Sequence, residues 1–262
     1  MNRLKELERR LEKARDIDDI AEFTRTKKLH TELSQFDKYR IKLMRRVFNK
    51  SLSGIVLDTG CSIGEMVKYY ERRSSKSICC DMDLFLIRGT RYVNKNLPKS
   101  SFICADIRNL PFQNAYFDTI IALEIIEHLP KCDHERVINE ILRVAKPDAV
   151  IYISTPNRFS LSGVEGKLIK IFVRDYKWSA WDSSHKYIYS SREFIRFTAS
   201  KNLHIKNIYG FYFLPGSTLV RLPAILQRIL GTFSFFISRS FGCFFPLKYL
   251  GFSTILELKN SN

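Results

Sequence analysis

The chain has 262 residues and is 45% hydrophobic, so it is long enough to bury one large α/β core. Its formal net charge is +16, and the charge is uneven, because residues 1–50 and 201–262 are basic whereas residues 101–150 carry more acidic than basic side chains. Basic flanks favour an anionic partner such as lipid or nucleic acid, and solubility alone is the alternative explanation.

Cysteine usage and the N-terminal sequence argue against a secreted, disulfide-stapled protein. The six cysteines form no CxxC pair and most lie in apolar surroundings, which predicts reduced, buried thiols and a cytoplasmic location. The first ten residues are too charged for a signal peptide.

Residues 1–50 are predicted to be an N-terminal helical extension. Apolar residues recur at helical spacing among charges, for example at Leu4, Leu7 and Leu11, and predict two or three helices over residues 3–48. We assign residues 51–262 to the main domain.

The segment Ile55–Gly64 predicts a buried strand followed by a turn and a helix. Three apolar residues precede Asp58, and Gly60 and Gly64 then allow positive φ angles or close backbone approach. A triphosphate loop is disfavoured, because Gly64 is followed by Glu65 rather than by lysine. The dinucleotide motif is also disfavoured, since Ser62 stands between the two glycines.

Beyond this strand, apolar runs at residues 77–80, 101–104, 117–123 and 149–154 alternate with helix-length segments. This alternation predicts an α/β fold with a mostly parallel sheet and helices on both faces. Ligands of such sheets bind at the carboxyl ends of the strands. Four successive strands end in or next to an acidic residue, namely Asp58, Asp81, Asp106 and Glu124. These carboxylates are suited to accept hydrogen bonds from ribose hydroxyls, an ammonium group and an adenine amine.

From about Val56 to Asn157 the chain resembles class I S-adenosylmethionine-dependent methyltransferases of the ubiquinone O-methyltransferase-like type. The resemblance rests on Val-Leu-Asp-Thr-Gly-Cys-Ser-Ile-Gly, on Asp81, on Ala-Asp-Ile-Arg-Asn-Leu-Pro-Phe from Ala105, on Glu-Ile-Ile-Glu-His-Leu from Glu124, and on Leu142–Pro147. It implies a Rossmann-like, seven-stranded sheet and S-adenosylmethionine as the cofactor. Two departures are Ser62 in place of a glycine and Asp148-Ala149 in place of Gly-Gly.

The resemblance also implies the cofactor-binding residues. Asp81 would accept the ribose hydroxyls, Asp106 the adenine amine beside Ile107, and Met82 would pack against the ring. The full predicted set is Asp58, Gly60, Cys61, Gly64, Asp81, Met82, Asp106, Ile107 and Glu124.

A histidine near the methyl donor is the natural general base for an attacking hydroxyl. His128 is the first candidate for this catalytic role and His185 the second. Glu124, Glu127, His128 and His185 also resemble the two-Glu, two-His metal set of small-RNA terminal 2′-O-methyltransferases. That likeness keeps a divalent metal open as a second cofactor, although the similar ubiquinone-pathway segment does not require one.

Two segments are assigned to the acceptor side. Residues 158–192 interrupt the alternation and predict a lid, with aromatic and basic residues at Arg158, Arg174, Tyr176, Trp178, Trp181 and His185. Residues 215–250 form an apolar, basic insertion without an uncharged run long enough to cross a bilayer. Such an insertion suits an anionic membrane surface, or else packs on the core or on a second subunit.

We therefore predict a methyltransferase that methylates oxygen on a small-molecule or lipid-like acceptor, in the cytoplasm or peripherally on a membrane. The alternatives are a metal-dependent RNA 3′-terminal 2′-O-methyltransferase and a catalytically silent binding subunit.

Overall fold

A computed structural model describes residues 35–49, 51–62, 64, 66–161, 163–164, 168, 184–201, 203–213 and 223–260. The predicted helices of residues 3–34, the lid residues Arg174, Tyr176, Trp178 and Trp181, and Glu65 lie outside this described part.

Six helices and seven strands are used below. The helices are α1 (Gln35–Phe48), α2 (Val67–Glu71), α3 (Leu84–Val93), α4 (His134–Val144), α5 (Ser191–Ala199) and α6 (Ala224–Phe241). The strands are β1 (Ile55–Thr59), β2 (Lys76–Asp81), β3 (Ser100–Cys104), β4 (Phe117–Ala122), β5 (Ala145–Pro156), β6 (Leu203–Phe211) and β7 (Ser253–Asn260). Short 3-10 helices cover Ile126–His128, Lys131–Asp133 and Leu247–Tyr249.

The seven strands form one sheet in the order β3-β2-β1-β4-β5-β7-β6. Strands β1 to β5 pair in parallel, whereas β7 pairs antiparallel with both β5 and β6. The predicted mostly parallel, seven-stranded sheet is thus confirmed. Because β1 lies between β2 and β4, the strand order reverses beside it, and this is where ligands of such sheets bind.

The sheet is covered on both faces by apolar side chains. One cluster joins Leu57 of β1 to Ile138 of α4 and Phe194 of α5, and a second joins Val56 to Phe48 of α1 and Tyr70 of α2. Neighbouring residues of β1 point to opposite faces, so a strand buried on both sides needs the continuous apolar run seen in the sequence.

Local sequence explains where the helices begin. The side chain of Asp83 accepts hydrogen bonds from the backbone N–H groups of Phe85 and Leu86 at the start of α3. Ser190 and Glu193 form a reciprocal capping box at the start of α5. Capping satisfies backbone donors that have no partner inside the helix.

The C-terminal part ties α6 to the sheet. The backbone N–H of Tyr212 donates to Ser238 Oγ, and that of Phe213 donates to Ser234 Oγ, each at 3.2 Å. Helix α6 falls inside the predicted insertion of residues 215–250. Within the described residues, no helix combines the length and apolar character that a membrane crossing requires.

The cysteine prediction was correct for half of the residues. All six cysteines are free thiols, and Cys61, Cys79 and Cys80 are buried. Cys104, Cys132 and Cys243 are exposed, so the expectation that most would be buried was wrong. Cys104 ends β3 and Cys132 lies in a 3-10 helix, and neither position faces the two core clusters.

Candidate functional site

Parallel pairing brings the predicted acidic strand ends to one edge of the sheet. Asp58 is paired with Cys79 of β2 and Ile121 of β4, and Asp81 ends β2 opposite Cys104. Glu124 follows the end of β4 by two residues. Asp58, Asp81 and Glu124 therefore belong to three adjacent strands at their carboxyl ends.

The turn after β1 depends on left-handed backbone conformations. Gly60, Ser62 and Gly64 have φ angles of 64°, 48° and 69°. A Cβ atom at Gly60 would lie 2.7 Å from Ile125 Cδ1, and one at Gly64 would lie 2.6 Å from Thr90 Cγ2. Both glycines are thus required by packing as well as by conformation.

Ser62 adopts a conformation that favours glycine, and neighbouring groups hold it there. Its backbone N–H donates to Asp81 Oδ2 at 3.0 Å, and its carbonyl oxygen accepts from Thr90 Oγ1 at 2.5 Å. These two bonds connect the turn to β2 and to α3. The serine therefore preserves the turn, at a conformational cost.

Asp81 has the acceptor capacity expected of a ribose-binding carboxylate. Oδ2 accepts from Ser62 N–H, and Oδ1 accepts from Asp83 N–H at 3.0 Å. A carboxylate offers about four lone-pair sites, so two further hydroxyl donors can be accommodated. Burial raises the pKa of Asp81, although the backbone hydrogen bonds oppose this. Met82 beside it is 65% exposed and offers an apolar surface to a planar ring.

Asp58 is a buried acid with an unusual pKa. Desolvation raises the pKa of Asp58 to about 7, a hydrogen bond from Tyr70 opposes the shift, and the nearby charge of Asp81 adds to it. A protonated Asp58 is neutral, and a cationic ligand beside it would favour the ionised form.

Asp106 is predicted to accept the adenine amine, but its carboxylate is already bonded to another side chain. Its carboxylate forms an ion pair with Arg108, whose Nε lies 3.0 Å from both oxygens, and this bond lowers the pKa of Asp106. Arg108 also contacts Asp133 at 2.8 Å. An adenine amine would share this carboxylate with a guanidinium. Ile107 next to it is buried.

Glu124 is fixed by residues from two other strands. Ser154 Oγ of β5 and Ser253 Oγ of β7 donate to Glu124 Oε1 at 2.6 and 2.7 Å. The backbone of Glu124 is left-handed, with a φ angle of 53°. The carboxylate is therefore positioned by contacts that span much of the chain.

Glu127, His128 and His185 lie together beside this edge. One ligand atom from each residue lies within 4.8 Å of the other two, and the ring centroids of the histidines are 4.7 Å apart. The Glu127 carbonyl oxygen accepts backbone hydrogen bonds from Lys186 at 2.7 Å and Tyr187 at 3.2 Å, which hold the His185 segment in place. We call these three residues the Glu-His-His cluster.

Glu127 is the most unusual member of the Glu-His-His cluster. The residue is fully buried, and neither carboxylate oxygen has a hydrogen-bond partner within the described part of the chain. Burial and the nearby Glu124 charge raise its pKa well above the usual range. His128 Nδ1 lies 3.0 Å from Ser184 Oγ. Of the four predicted metal candidates, the structure groups three, and Glu124 is bonded elsewhere.

Comparison with known proteins agrees with this geometry. A model of the methyltransferase domain family matches residues 57–153, which span β1 to β5 and the acidic strand ends. Residues 57–153 therefore match a methyltransferase domain, and proteins similar to the chain are named S-adenosylmethionine-dependent methyltransferases. The cofactor of these methyltransferases is S-adenosylmethionine.

Individual relatives match the chain in part. A probable S-adenosylmethionine-dependent methyltransferase of Mycobacterium tuberculosis is 28% identical over 41% of this chain and 37% of its own length. The chloroplastic tocopherol O-methyltransferase of Arabidopsis thaliana is 28% identical over 51% of this chain and 41% of its own length. The chain thus spans about two fifths of each of these two relatives.

A solved structure shares the fold over its full length. The N-methyltransferase NodS of Bradyrhizobium japonicum, in complex with S-adenosyl-L-homocysteine, superposes with a TM-score of 0.59 over 98% of each chain, at 12% identity. At this identity the likeness concerns the fold.

The residues at the sheet edge fit the methyltransferase cofactor. Asp81 keeps lone pairs that a ribose diol could use, Met82 exposes an apolar surface, and Asp58 lies at the same edge as a second acid. All the predicted cofactor contacts stay predictions, namely those of Asp58, Gly60, Cys61, Gly64, Asp81, Met82, Asp106, Ile107 and Glu124.

Sequence reasoning missed the residues that support this site. Thr90 and Ser253 carry no motif, yet together with Ser154 they hold Ser62 and Glu124 in left-handed conformations. The one available signal was Ser62 itself, since a non-glycine residue at a glycine position of a tight turn requires compensating bonds.

Proposed function

We propose that this chain transfers a methyl group from S-adenosylmethionine to an oxygen atom of a small or lipid-like acceptor, in the cytoplasm. The observation that carries the proposal is the Glu-His-His cluster. A hydroxyl must lose a proton as it attacks, whereas a neutral amine attacks through its lone pair first. Two imidazoles and a carboxyl group beside the cofactor edge are therefore suited to a hydroxyl acceptor.

His128 is the first candidate for the base and His185 the second. Their ring centroids are 4.7 Å apart, so either imidazole is placed to take a proton from the same acceptor. Ser184 Oγ, 3.0 Å from His128 Nδ1, orients the first ring.

Metal-dependent methylation of an RNA 3′-terminal 2′-hydroxyl is the second candidate. It is favoured because the ligand atoms of Glu127, His128 and His185 all lie within 4.8 Å of one another. Ligands about 2.1 Å from one ion lie about 3 to 4 Å apart, a range that falls within this limit. A bound divalent ion would polarise a terminal diol.

A methyl-transfer assay with radiolabelled S-adenosylmethionine distinguishes these two proposed functions. The protein is incubated with lipid extract or with total RNA, each with EDTA and with added Mn²⁺. Label in the lipid fraction that survives EDTA supports the first proposal, and metal-dependent label at RNA 3′ ends supports the second. Cofactor binding without methyl transfer to any fraction would favour a silent binding subunit and contradict both.

A further inference from the structure

A basic groove lies between α1, α2 and α6, apart from the residues assigned to the cofactor. Its volume is about 660 Å³. Among the described residues that line it, none is acidic and seven are cationic. The lining residues are Lys42, Leu43, Arg45, Arg46, Asn49, Lys68, Tyr69, Arg72, Arg73, Phe235 and Arg239.

Two of the guanidinium groups converge on one aromatic ring. Arg73 lies 4.5 Å and Arg45 5.7 Å from the centroid of the Tyr69 ring. Tyr69 Oη donates to the Arg45 carbonyl oxygen at 2.9 Å, and Arg73 donates to Asn49 Oδ1. Like charges held this close repel one another, and a phosphate group would offset the repulsion through charge-assisted hydrogen bonds.

An apolar stripe runs along α6 next to the basic groove. It consists of Ile225, Ile229, Phe233 and Phe236, and each is more than half exposed. Their spacing of four, four and three residues places them within about 80° of one another around a helix of 3.6 residues per turn.

The apolar stripe points away from the protein. The buried residues Ser234 and Ser238 face the opposite side, where they accept the bonds from Phe213 and Tyr212. Arg228 and Arg239 occupy the sector between these faces, and Arg239 also lines the basic groove. The basic groove, the two arginines and the apolar stripe therefore form one continuous surface.

The sequence on either side of the apolar stripe is also rich in apolar and basic residues. Phe241 ends the helix, Phe244 and Phe245 follow it, and all three are exposed. No acidic residue occurs anywhere between Glu193 and Glu257 in the sequence, although seven lysines and arginines do. An exposed apolar surface with cationic side chains beside it complements a surface that is anionic outside and apolar inside.

We propose that the basic groove and the apolar stripe together form a docking surface for a bilayer that contains anionic phospholipid. A lipid phosphate occupies the groove, and the stripe enters the boundary between headgroups and acyl chains. A second copy of the chain fits less well, because a symmetric contact would place the cations of each copy beside those of the other. Nucleic acid offers phosphates but nothing to bury Ile225 and Ile229, which have no ring for base stacking.

Vesicle sedimentation with the full chain tests this proposal. Vesicles of phosphatidylcholine are compared with vesicles that also contain phosphatidylglycerol, and we expect binding only to the second, weakened by salt. Lys68→Glu with Arg72→Glu should weaken binding at least about tenfold, and so should Phe233→Ser with Phe236→Ser.

Matched variants control for net charge and for hydrophobicity. Arg192→Glu with Arg196→Glu makes the same charge change on α5, which packs on the other sheet face, and Tyr92→Ser with Val93→Ser removes exposed apolar groups from α3. Both should bind vesicles as the unmodified chain does, and thermal unfolding checks that all four variants fold.

Several outcomes would overturn the proposal. Equal sedimentation with both vesicle types would do so, as would loss of binding in the control variants. Calorimetric binding of inorganic phosphate or total RNA that needs the groove, with no vesicle binding, would assign the groove to a soluble ligand. A dimer by light scattering that dissociates when the stripe is mutated would assign the stripe to a second copy.

Discussion

The backbone N–H of Ser62 donates to Oδ2 of Asp81 at 3.0 Å, and this bond joins the turn after β1 to the end of β2. The same carboxylate is the predicted acceptor for the ribose of the cofactor. Asp81 thus both shapes the turn and offers the predicted ribose acceptor, so its removal affects the turn and the cofactor affinity.

Asp81→Ala should weaken S-adenosylmethionine binding at least about 100-fold, because it removes the ribose acceptor and releases Ser62 and Asp83. Isothermal titration calorimetry measures the effect. Asp83→Asn is the matched control, since an amide oxygen can still cap α3, and its affinity should stay near that of the unmodified chain. Unchanged affinity in Asp81→Ala would remove Asp81 from the site.

Ser62→Gly should raise the free energy of unfolding by about 1 kcal/mol, because a φ angle of 48° is unfavourable for serine but not for glycine. Urea denaturation measures this difference. Cofactor affinity should be preserved, since the bond to Asp81 uses the backbone N–H. A less stable Ser62→Gly variant would show that the serine side chain contributes more than its conformation costs.

The free energy of unfolding should fall as pH rises from about 4 to about 7, because Asp58 keeps its proton in the folded chain up to a pKa of about 7 while the unfolded chain loses it near 4. The stabilisation from protonated Asp58 is complete below the pKa of the unfolded chain and is lost above the pKa of the folded chain. Its upper bound is about 4 kcal/mol, at about 1.4 kcal/mol per pH unit.

Asp58→Asn tests this dependence, since the amide cannot ionise and still accepts from Tyr70. Urea unfolding at pH 5 and pH 8 should give a smaller difference in the variant than in the unmodified chain. Equal differences in both proteins would show that Asp58 does not titrate in this range.

His128→Ala and His185→Ala should separate a base from a metal ligand. If His128 is the base, His128→Ala lowers kcat at least about 100-fold, whereas His185→Ala has a smaller effect, and EDTA has none. If the Glu-His-His cluster binds an ion, both substitutions abolish the activation by Mn²⁺ to a similar degree. Methyl-transfer rates against the acceptor found in the radiolabel screen measure both. Full activity in both variants would remove the cluster from the reaction.

Helix and strand signals in the sequence were sufficient for the fold class. The apolar runs that end in Asp58, Asp81 and Glu124 are short and local, and their alternation with helices predicts a parallel sheet without further information. The pairing of β7 between β5 and β6 was not predictable in the same way, because nothing in residues 253–260 specifies which strand they join.

The sequence by itself determined which residues end the strands, and therefore which carboxylates reach the cofactor edge, because that information lies within a few residues of each strand. Only the tertiary structure decided that Ser253 holds Glu124, and that α1, α2 and α6 enclose a basic groove. These contacts join residues far apart in the chain, and they arise from packing across the sheet, which no local spacing encodes.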